Sequence, residues 1–212
     1  MTLRADQLTC VRGERQLFSA IGFEINAGEA LRVIGTNGSG KTSLLRILCG
    51  LAQPAAGEVR WHGNNIRALR EEYCRNLIYL GHANGVKDDL LAWENIVVAS
   101  ALSGKPVDRA AAGQALEQLG LGHAAAELPT RSLSQGQRKR VALARLRLGM
   151  ATPLWILDEP FTALDQSAVN ELCGTLNSHL AGGGMVIYTT HQEIDLTARR
   201  LFRLDLNRGT LC

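Results

Sequence analysis

Residues 35–42 read Gly35-Thr36-Asn37-Gly38-Ser39-Gly40-Lys41-Thr42, and this run decides the fold. It fits G-x-x-x-x-G-K-[ST], a phosphate-cradling pattern that needs a strand before it and a helix after it. Upstream, Ala30-Leu31-Arg32-Val33-Ile34 is a short, mostly apolar run suited to a strand buried in a sheet. Downstream, Leu44, Leu45, Ile47, Leu48 and Leu51 recur at helical spacing, and Gly50 falls near the expected helix end. Strand, glycine loop and helix in that order predict a nucleoside triphosphate site. Gly35, Gly38 and Gly40 let backbone N–H groups wrap the phosphates, and the helix N-terminus adds partial positive charge. Lys41 is expected to reach the β- and γ-phosphates, with the Thr42 hydroxyl on Mg²⁺.

The second half of such a site is legible farther along. Pro153-Leu154-Trp155-Ile156-Leu157-Asp158-Glu159 is an apolar strand that ends in two carboxylates. Neighbouring positions on a strand point to opposite faces, so the two acids have separate tasks. Asp158 is placed to hold the hydration shell of Mg²⁺. Glu159 is placed to orient or deprotonate the attacking water, a role worth roughly 10²–10⁴-fold in rate. Between the two, Leu133-Ser134-Gln135-Gly136-Gln137 offers a hydroxyl and free N–H groups to an anion at a helix start. Alone such a pentapeptide carries little information; its place between phosphate loop and acidic strand gives it meaning.

Composition narrows the class. A chain of 212 residues forms one ordinary domain or two close lobes with a sizeable core. The net charge of +3 and the scattered arginines predict no nucleic-acid partner. The densest basic run, Arg138 to Arg147, has apolar residues at helical spacing and reads as one solvated helix face. Five cysteines without C-x-x-C spacing speak against a disulfide framework or zinc site and for a reduced cytosolic setting. The start of the chain carries no apolar secretory core, and no uncharged run approaches the roughly 20 residues of a membrane span. Any membrane role therefore calls for other subunits to cross the bilayer.

Along the chain, the first 65 residues or so are strand-rich. Gly57 to Gly63 alternates and ends in a glycine-asparagine turn, predicting a strand of a partly exposed sheet. From about 88 to 150 the composition turns to Ala, Leu, Gln and Arg, with Asp108 as cap of a helix through Leu119 closed by Gly120. Strands return at Leu154–Leu157 and Met185–Thr189, and Leu201–Leu211 reads as a hairpin turned at Asn207-Arg208-Gly209. This pattern predicts a helical lobe inserted into an α/β core: one domain over 1–212, with core at about 1–85 and 151–212 and lobe at about 86–150.

With these motifs in order, the sequence resembles the ATP-binding subunits of ABC transporters over nearly its whole length. Gly35–Thr42 resembles their Walker A, Leu133–Gln137 their signature and Leu154–Glu159 their Walker B. Asp165 in Ala163-Leu164-Asp165 resembles the D-loop acid, and His191 after Thr189-Thr190 the switch histidine. The resemblance implies a P-loop NTPase fold of the ABC ATPase type, with a mixed sheet core, an antiparallel β subdomain and an inserted helical lobe. It also implies that Gly35, Thr36, Asn37, Gly38, Ser39, Gly40, Lys41, Thr42 and Ser43 hold ATP. Thr42 and Asp158 serve Mg²⁺, and Lys41, Glu159 and His191 are catalytic. Two copies would face head to tail, so that Ser134, Gln135, Gly136 and Gln137 of one meet the γ-phosphate held by the other and Asp165 links the two sites. Two departures stand out. Alanine at Ala83 occupies the place of a usual Mg²⁺-contacting glutamine, leaving His82 or Asn84 to substitute or hydrolysis slow. The usual adenine-stacking aromatic is absent, and Arg12, whose guanidinium plane can stack on a base, lies near that position.

A closer resemblance is to the ATP-binding subunits of cytochrome c biogenesis systems. It is carried by Tyr79-Leu80-Gly81-His82, Gly85-Val86-Lys87, Leu91-Ala92-Trp93-Glu94-Asn95, the run from Trp155 to Asp165 and Thr189-Thr190-His191-Gln192, with a chain lacking a long C-terminal extension. It implies a homodimer at the cytoplasmic face of a bacterial inner membrane, peripheral to separate membrane-spanning subunits. ATP use would be coupled to haem export or to release of a haem-loaded chaperone. The five histidines are scattered without haem-attachment spacing, so the chain itself is not expected to bind haem. The alternatives are an ATPase subunit for another substrate and a nucleotide-gated switch with weak hydrolysis. A ribosome- or DNA-acting relative would carry two cassettes or a coiled-coil run, and neither is present.

Overall fold

In the computed structural model, which describes residues 1–211, the phosphate-loop run joins a buried parallel strand to a helix. The chain begins with β1 (Thr2–Arg12), β2 (Arg15–Asn26), β3 (Glu29–Ile34), α1 (Lys41–Leu48), β4 (Ala56–Trp61), β5 (Asn64–Asn65), α2 (Ile66–Arg75) and β6 (Leu77–Leu80). A helical stretch follows: α3 (Ala92–Leu102), α4 (Arg109–Glu117), α5 (His123–Ala126), a 3-10 turn (Thr130–Ser132) and α6 (Gln135–Leu148). The chain then forms β7 (Leu154–Leu157), α7 (Gln166–Ala181), β8 (Met185–Thr189), β9 (Arg200–Asp205) and β10 (Thr210–Leu211).

Two sheets result. The four-stranded one has the order β2-β1-β4-β5 and is antiparallel, as its alternating sequences predict. The six-stranded one has the order β10-β9-β3-β8-β7-β6. Strands β9, β3, β8 and β7 run parallel, and β10 folds back antiparallel at the edge, so the sheet is mixed. Both β7, Leu-Trp-Ile-Leu, and β8, Met-Val-Ile-Tyr-Thr, are buried along their whole length, which is why they read as continuous rather than alternating runs. Leu3, Ile25 and Trp61 of the first sheet share one core with Leu31, Val33, Ile156 and Ile187 of the second and with Leu44, Leu45 and Leu48 of α1. Each such aliphatic side chain contributes about 1.5–3 kcal/mol by leaving water.

Helix α1 is shorter than its leucine spacing predicts. Gly50 takes φ 73°, and the Leu51 N–H turns back to the Arg46 carbonyl at 2.8 Å, closing the helix in a Schellman turn. Leu51 therefore falls beyond the end and is exposed.

Contacts divide the chain into two compact units: residues 1–79, 151–159 and 176 onward, and residues 80–150 with 160–175. The first holds the two sheets and α1. The second groups α3, α4, α5 and α6, and also takes residues 160–175, which the sequence reading set with the α/β core. Asp108 caps α4 as expected, its carboxylate accepting the Ala111 N–H at 2.8 Å. The basic run on α6 departs from expectation: Arg138, Arg140, Arg145 and Arg147 are half-buried and Lys139 is buried. They are not a solvated face, and neighbours accept the hydrogen bonds of Arg138 and Arg140. Arg140 donates to the Leu119 carbonyl at 2.9 Å and to Asp165 at 2.7 Å, and Arg138 to the Arg131 carbonyl at 2.8 Å. Burial also lowers the pKa of Arg145.

Candidate functional site

The phosphate loop leaves β3 at its carboxyl end and enters α1 through Gly40, the N-cap, at φ 101° and ψ 13°. A Cβ there would lie 3.0 Å from the Phe18 ring and 3.1 Å from the Leu17 Cβ, so both backbone angle and space require glycine. No side chain caps α1 and its first turn holds no acid, which leaves the helix N-terminus to an anion. Thr36, Asn37 and Gly38 are exposed, whereas Ser39 and Ser43 are buried. The Lys41 ammonium arches back over the loop, donating to the Gly35 carbonyl at 2.8 Å and the Thr36 carbonyl at 3.2 Å. It thus sits above the concavity that the glycines open.

Parallel pairing brings the acidic strand to the same edge. Leu157 of β7 stands beside Tyr188 of β8, so Asp158 falls beside Thr189, and Val33 of β3 flanks Thr189 on the other side. The carboxyl ends of adjacent parallel strands thus converge, where α/β sheets bind ligands. Asp158 is buried and accepts the Thr42 hydroxyl at 2.7 Å and the Thr189 hydroxyl at 2.8 Å. The Thr189 oxygen in turn accepts the Glu159 N–H at 2.8 Å. Glu159 takes φ 51°, a left-handed conformation unusual for a side chain of that size, and this bond holds it. Its carboxylate lies 3.5 Å from His191 Nε2; the histidine side chain is 60% exposed and the glutamate 13%. Lys41, Thr42, Asp158, Glu159 and His191 therefore gather in one unit.

Thr42 and Asp158 form a pair of hard oxygen donors. That set suits Mg²⁺, which is held by one or two protein groups together with waters and substrate phosphates. Among the described residues there is no group of three or more His, Cys, Asp or Glu that could hold a metal ion.

The other motif residues lie in the second unit. Ser134 caps α6, its hydroxyl accepting the Gln137 N–H at 3.2 Å while the Gln137 side chain accepts the Ser134 N–H at 2.9 Å. Ser134 and Gln135 are exposed, and the first turn of α6 carries no acid. A Cβ on Gly136 would stand 2.9 Å from the Ala163 carbonyl, so glycine lets α6 meet the 163–165 turn. Asp165 caps α7, accepting the Ala168 N–H at 2.8 Å, and pairs with Arg140. The Ala168 N–H, then the Arg140 charge, lower its pKa.

Two contributors escaped the sequence reading. Thr189 looked like a strand end; its hydroxyl joins Asp158 to Glu159. Asn207, read only as a turn residue, accepts the Thr36 hydroxyl at 3.0 Å and ties the β9–β10 hairpin to the phosphate loop. Neither partner lies near it in sequence, and no local pattern marks them. Arg12 sits exposed at the β1–β2 hairpin opposite Arg15, and its side chain makes no ion pair or hydrogen bond among the described residues.

Comparison with known proteins places the chain in a family. Residues 18–162 match the ABC transporter family. The chain is 54% identical over 205 residues to the cytochrome c biogenesis ATP-binding export protein CcmA of Nitrosospira multiformis, covering 97% of this chain and 98% of that one. It is 53% identical over 206 residues to the protein of that name from Nitrosomonas europaea, covering 97% and 95%. Among solved structures it resembles the dimeric structure of MJ0796, a bacterial ABC transporter cassette, with a TM-score of 0.82 and 25% identity over 96% of this chain and 94% of that one.

Proposed function

The chain belongs to the ABC transporter family and within it to the CcmA-type ATP-binding subunits, and from that membership we propose that it drives haem handling in cytochrome c biogenesis. It is an ATP-hydrolysing subunit, and hydrolysis is coupled to haem export or to release of a haem-loaded chaperone. The observation that carries the catalytic part is the connected set Thr42–Asp158–Thr189–Glu159, with His191 beside Glu159.

The roles follow from position. Backbone N–H groups of the loop from Gly35 to Thr42 and the start of α1 receive the phosphates, and Lys41 leaves the loop carbonyls to meet the β- and γ-phosphates. Thr42 would hold Mg²⁺, with Asp158 supporting its hydration shell, and an ion bound there would supply positive charge to the phosphates. Glu159, held at its strained backbone angle by Thr189, orients the attacking water and takes its proton. His191 reaches over the γ-phosphate from beside Glu159. Ser134 and Gly136 present the N-terminus of α6 to the γ-phosphate of a second copy, and Asp165 connects the paired sites. Arg12 is the stacking partner for the base.

No helix among the described residues is long and apolar enough to cross a membrane. Separate membrane-spanning subunits of a cytochrome c biogenesis complex would therefore provide the path, with this chain as a peripheral homodimer at the cytoplasmic face of the inner membrane. ATP hydrolysis by the chain purified with the membrane subunits it pulls down tests the proposal, with Glu159→Gln as control. Hydrolysis that vanishes in the control, with cytochrome c biogenesis proteins in the preparation, is the expected result. Equal turnover by Glu159→Gln would remove Glu159 as base. Bound ATP without hydrolysis in the parent would point to Ala83 and to a nucleotide-gated switch.

A further inference from the structure

Strand β3 carries two charged residues that its burial does not favour, Glu29 at its start and Arg32 within it. Glu29–Ile34 lies in the middle of the six-stranded sheet, and arginine is almost never so enclosed unless paired. Leu31 and Val33 enter the core shared with α1. Arg32 therefore points to the opposite face, with its side chain only 10% exposed. Its fork closes on the segment that follows His191. Nη1 donates to Glu193 Oε2 at 2.8 Å, while Nη2 donates to the Gln192 carbonyl at 2.7 Å and to Glu193 Oε1 at 3.4 Å. Nε is buried without a hydrogen-bond partner, so the guanidinium's hydrogen bonding passes entirely through residues 192 and 193.

We infer that Arg32 and Glu193 form a clamp that positions His191 for hydrolysis, joining the strand that enters the phosphate loop to the loop that carries the histidine. The inference rests on the role proposed above for His191. The histidine is largely exposed, and its one ion-pair contact among the described residues is the 3.5 Å approach to Glu159. Its place is consequently set by its flanks. On the upstream side Thr190 is buried, and its hydroxyl accepts the Gln192 N–H at 3.1 Å. On the downstream side the chain runs without regular structure to Arg199. Before the Thr197 N–H reaches Asn177 at 2.8 Å, the segment is held by the Arg32 fork next to the histidine and by the buried side chains of Ile194 and Leu196 farther on. Glu193 itself is 88% exposed, so its carboxylate serves the clamp and not the core. The Arg32 hydrogen bond, and then its charge, also hold the Glu193 carboxyl below the usual carboxylate range.

Glu193→Ala removes the carboxylate half of the clamp without opening the core, leaving only the Gln192 carbonyl on the Arg32 fork. Hydrolysis by the full chain with its copurified membrane subunits is expected to fall about tenfold in kcat at unchanged KM for ATP, since small misplacements of a positioned group carry such losses. Glu193→Gln keeps one acceptor, and Arg32→Lys keeps the charge but loses the fork; both should fall in between. In a His191→Ala background, Glu193→Ala should cost nothing further, because it acts through the histidine. A parental kcat in Glu193→Ala beside a dead His191→Ala would overturn the clamp alone. So would a further loss in the double variant, or a rise in KM with kcat unchanged. Full hydrolysis in His191→Ala would overturn the role of the histidine and the clamp with it.

Discussion

At the scale of single residues, Thr189 carries the most structural consequence for its size. Its hydroxyl donates to Asp158 and accepts from the Glu159 N–H, both at 2.8 Å, in a fully buried position. Valine would match its shape but leave a buried carboxylate oxygen and a buried N–H without that partner. Leaving a buried polar group unsatisfied costs about 1–3 kcal/mol. Thr189→Val should therefore lower the melting temperature by roughly 2–4 °C per kcal/mol lost in a chain of this size. Hydrolysis should fall as well, because Glu159 keeps its left-handed backbone only while its N–H is held. Thr189→Ser restores the hydroxyl and should recover most of both. Calorimetry and ATPase rates on the three proteins check this; a valine variant with parental turnover would free Glu159 from dependence on Thr189.

At the scale of elements, the two units use their helix starts differently. Helix α1 begins at an uncapped glycine and keeps its N-terminus open, whereas α7 begins at Asp165, whose carboxylate takes up the Ala168 N–H and pairs with Arg140 of α6. That hydrogen bond and charge depress the Asp165 pKa. Such a group stabilises the fold fully above its ordinary carboxylate pKa of about 3.9, and the contribution disappears as the pH falls through the lowered folded value. Denaturant unfolding of Asp165→Asn should lack that component, so its stability should change less than the parent's between pH 4 and more acidic conditions. An identical acid limb in both proteins would contradict the assignment. Much at this scale was legible beforehand. The phosphate loop between β3 and α1, the acid-ended β7, the Asp108 cap and the Ser134 start of α6 are signalled within a few residues of themselves. What was hidden depends on distant partners. Arg32 reads as a charged interruption of an apolar strand until Glu193 meets it, 161 positions away. Arg138 and Arg140 of α6 read as part of a wet face until Leu119, Arg131 and Asp165 accept their hydrogen bonds.

At the scale of the whole molecule, the proposed head-to-tail pairing rests on two exposed surfaces. Thr36, Asn37 and Gly38 stand open on the phosphate loop, and Ser134 and Gln135 stand open at an α6 start that no acidic residue neutralises. Under the proposed pairing, a γ-phosphate held by the first surface of one copy would be matched in charge to the second surface of another. Hydrogen bonds to charged groups are worth about 1.5–3 kcal/mol each, so a few at each of two equivalent sites can hold a dimer together while the nucleotide is intact. Blocking hydrolysis should then trap that state. Glu159→Gln is expected to sediment as a dimer with ATP and Mg²⁺ and as a monomer with ADP. Adding Ser134→Glu places a carboxylate against the incoming phosphate, which should abolish the ATP-dependent dimer while each monomer still binds nucleotide through its own loop. Sedimentation with ATP, read beside nucleotide affinity, decides the matter. A dimer that survives Ser134→Glu unchanged would mean that α6 does not face the phosphate of its partner, and the head-to-tail arrangement would have to be abandoned.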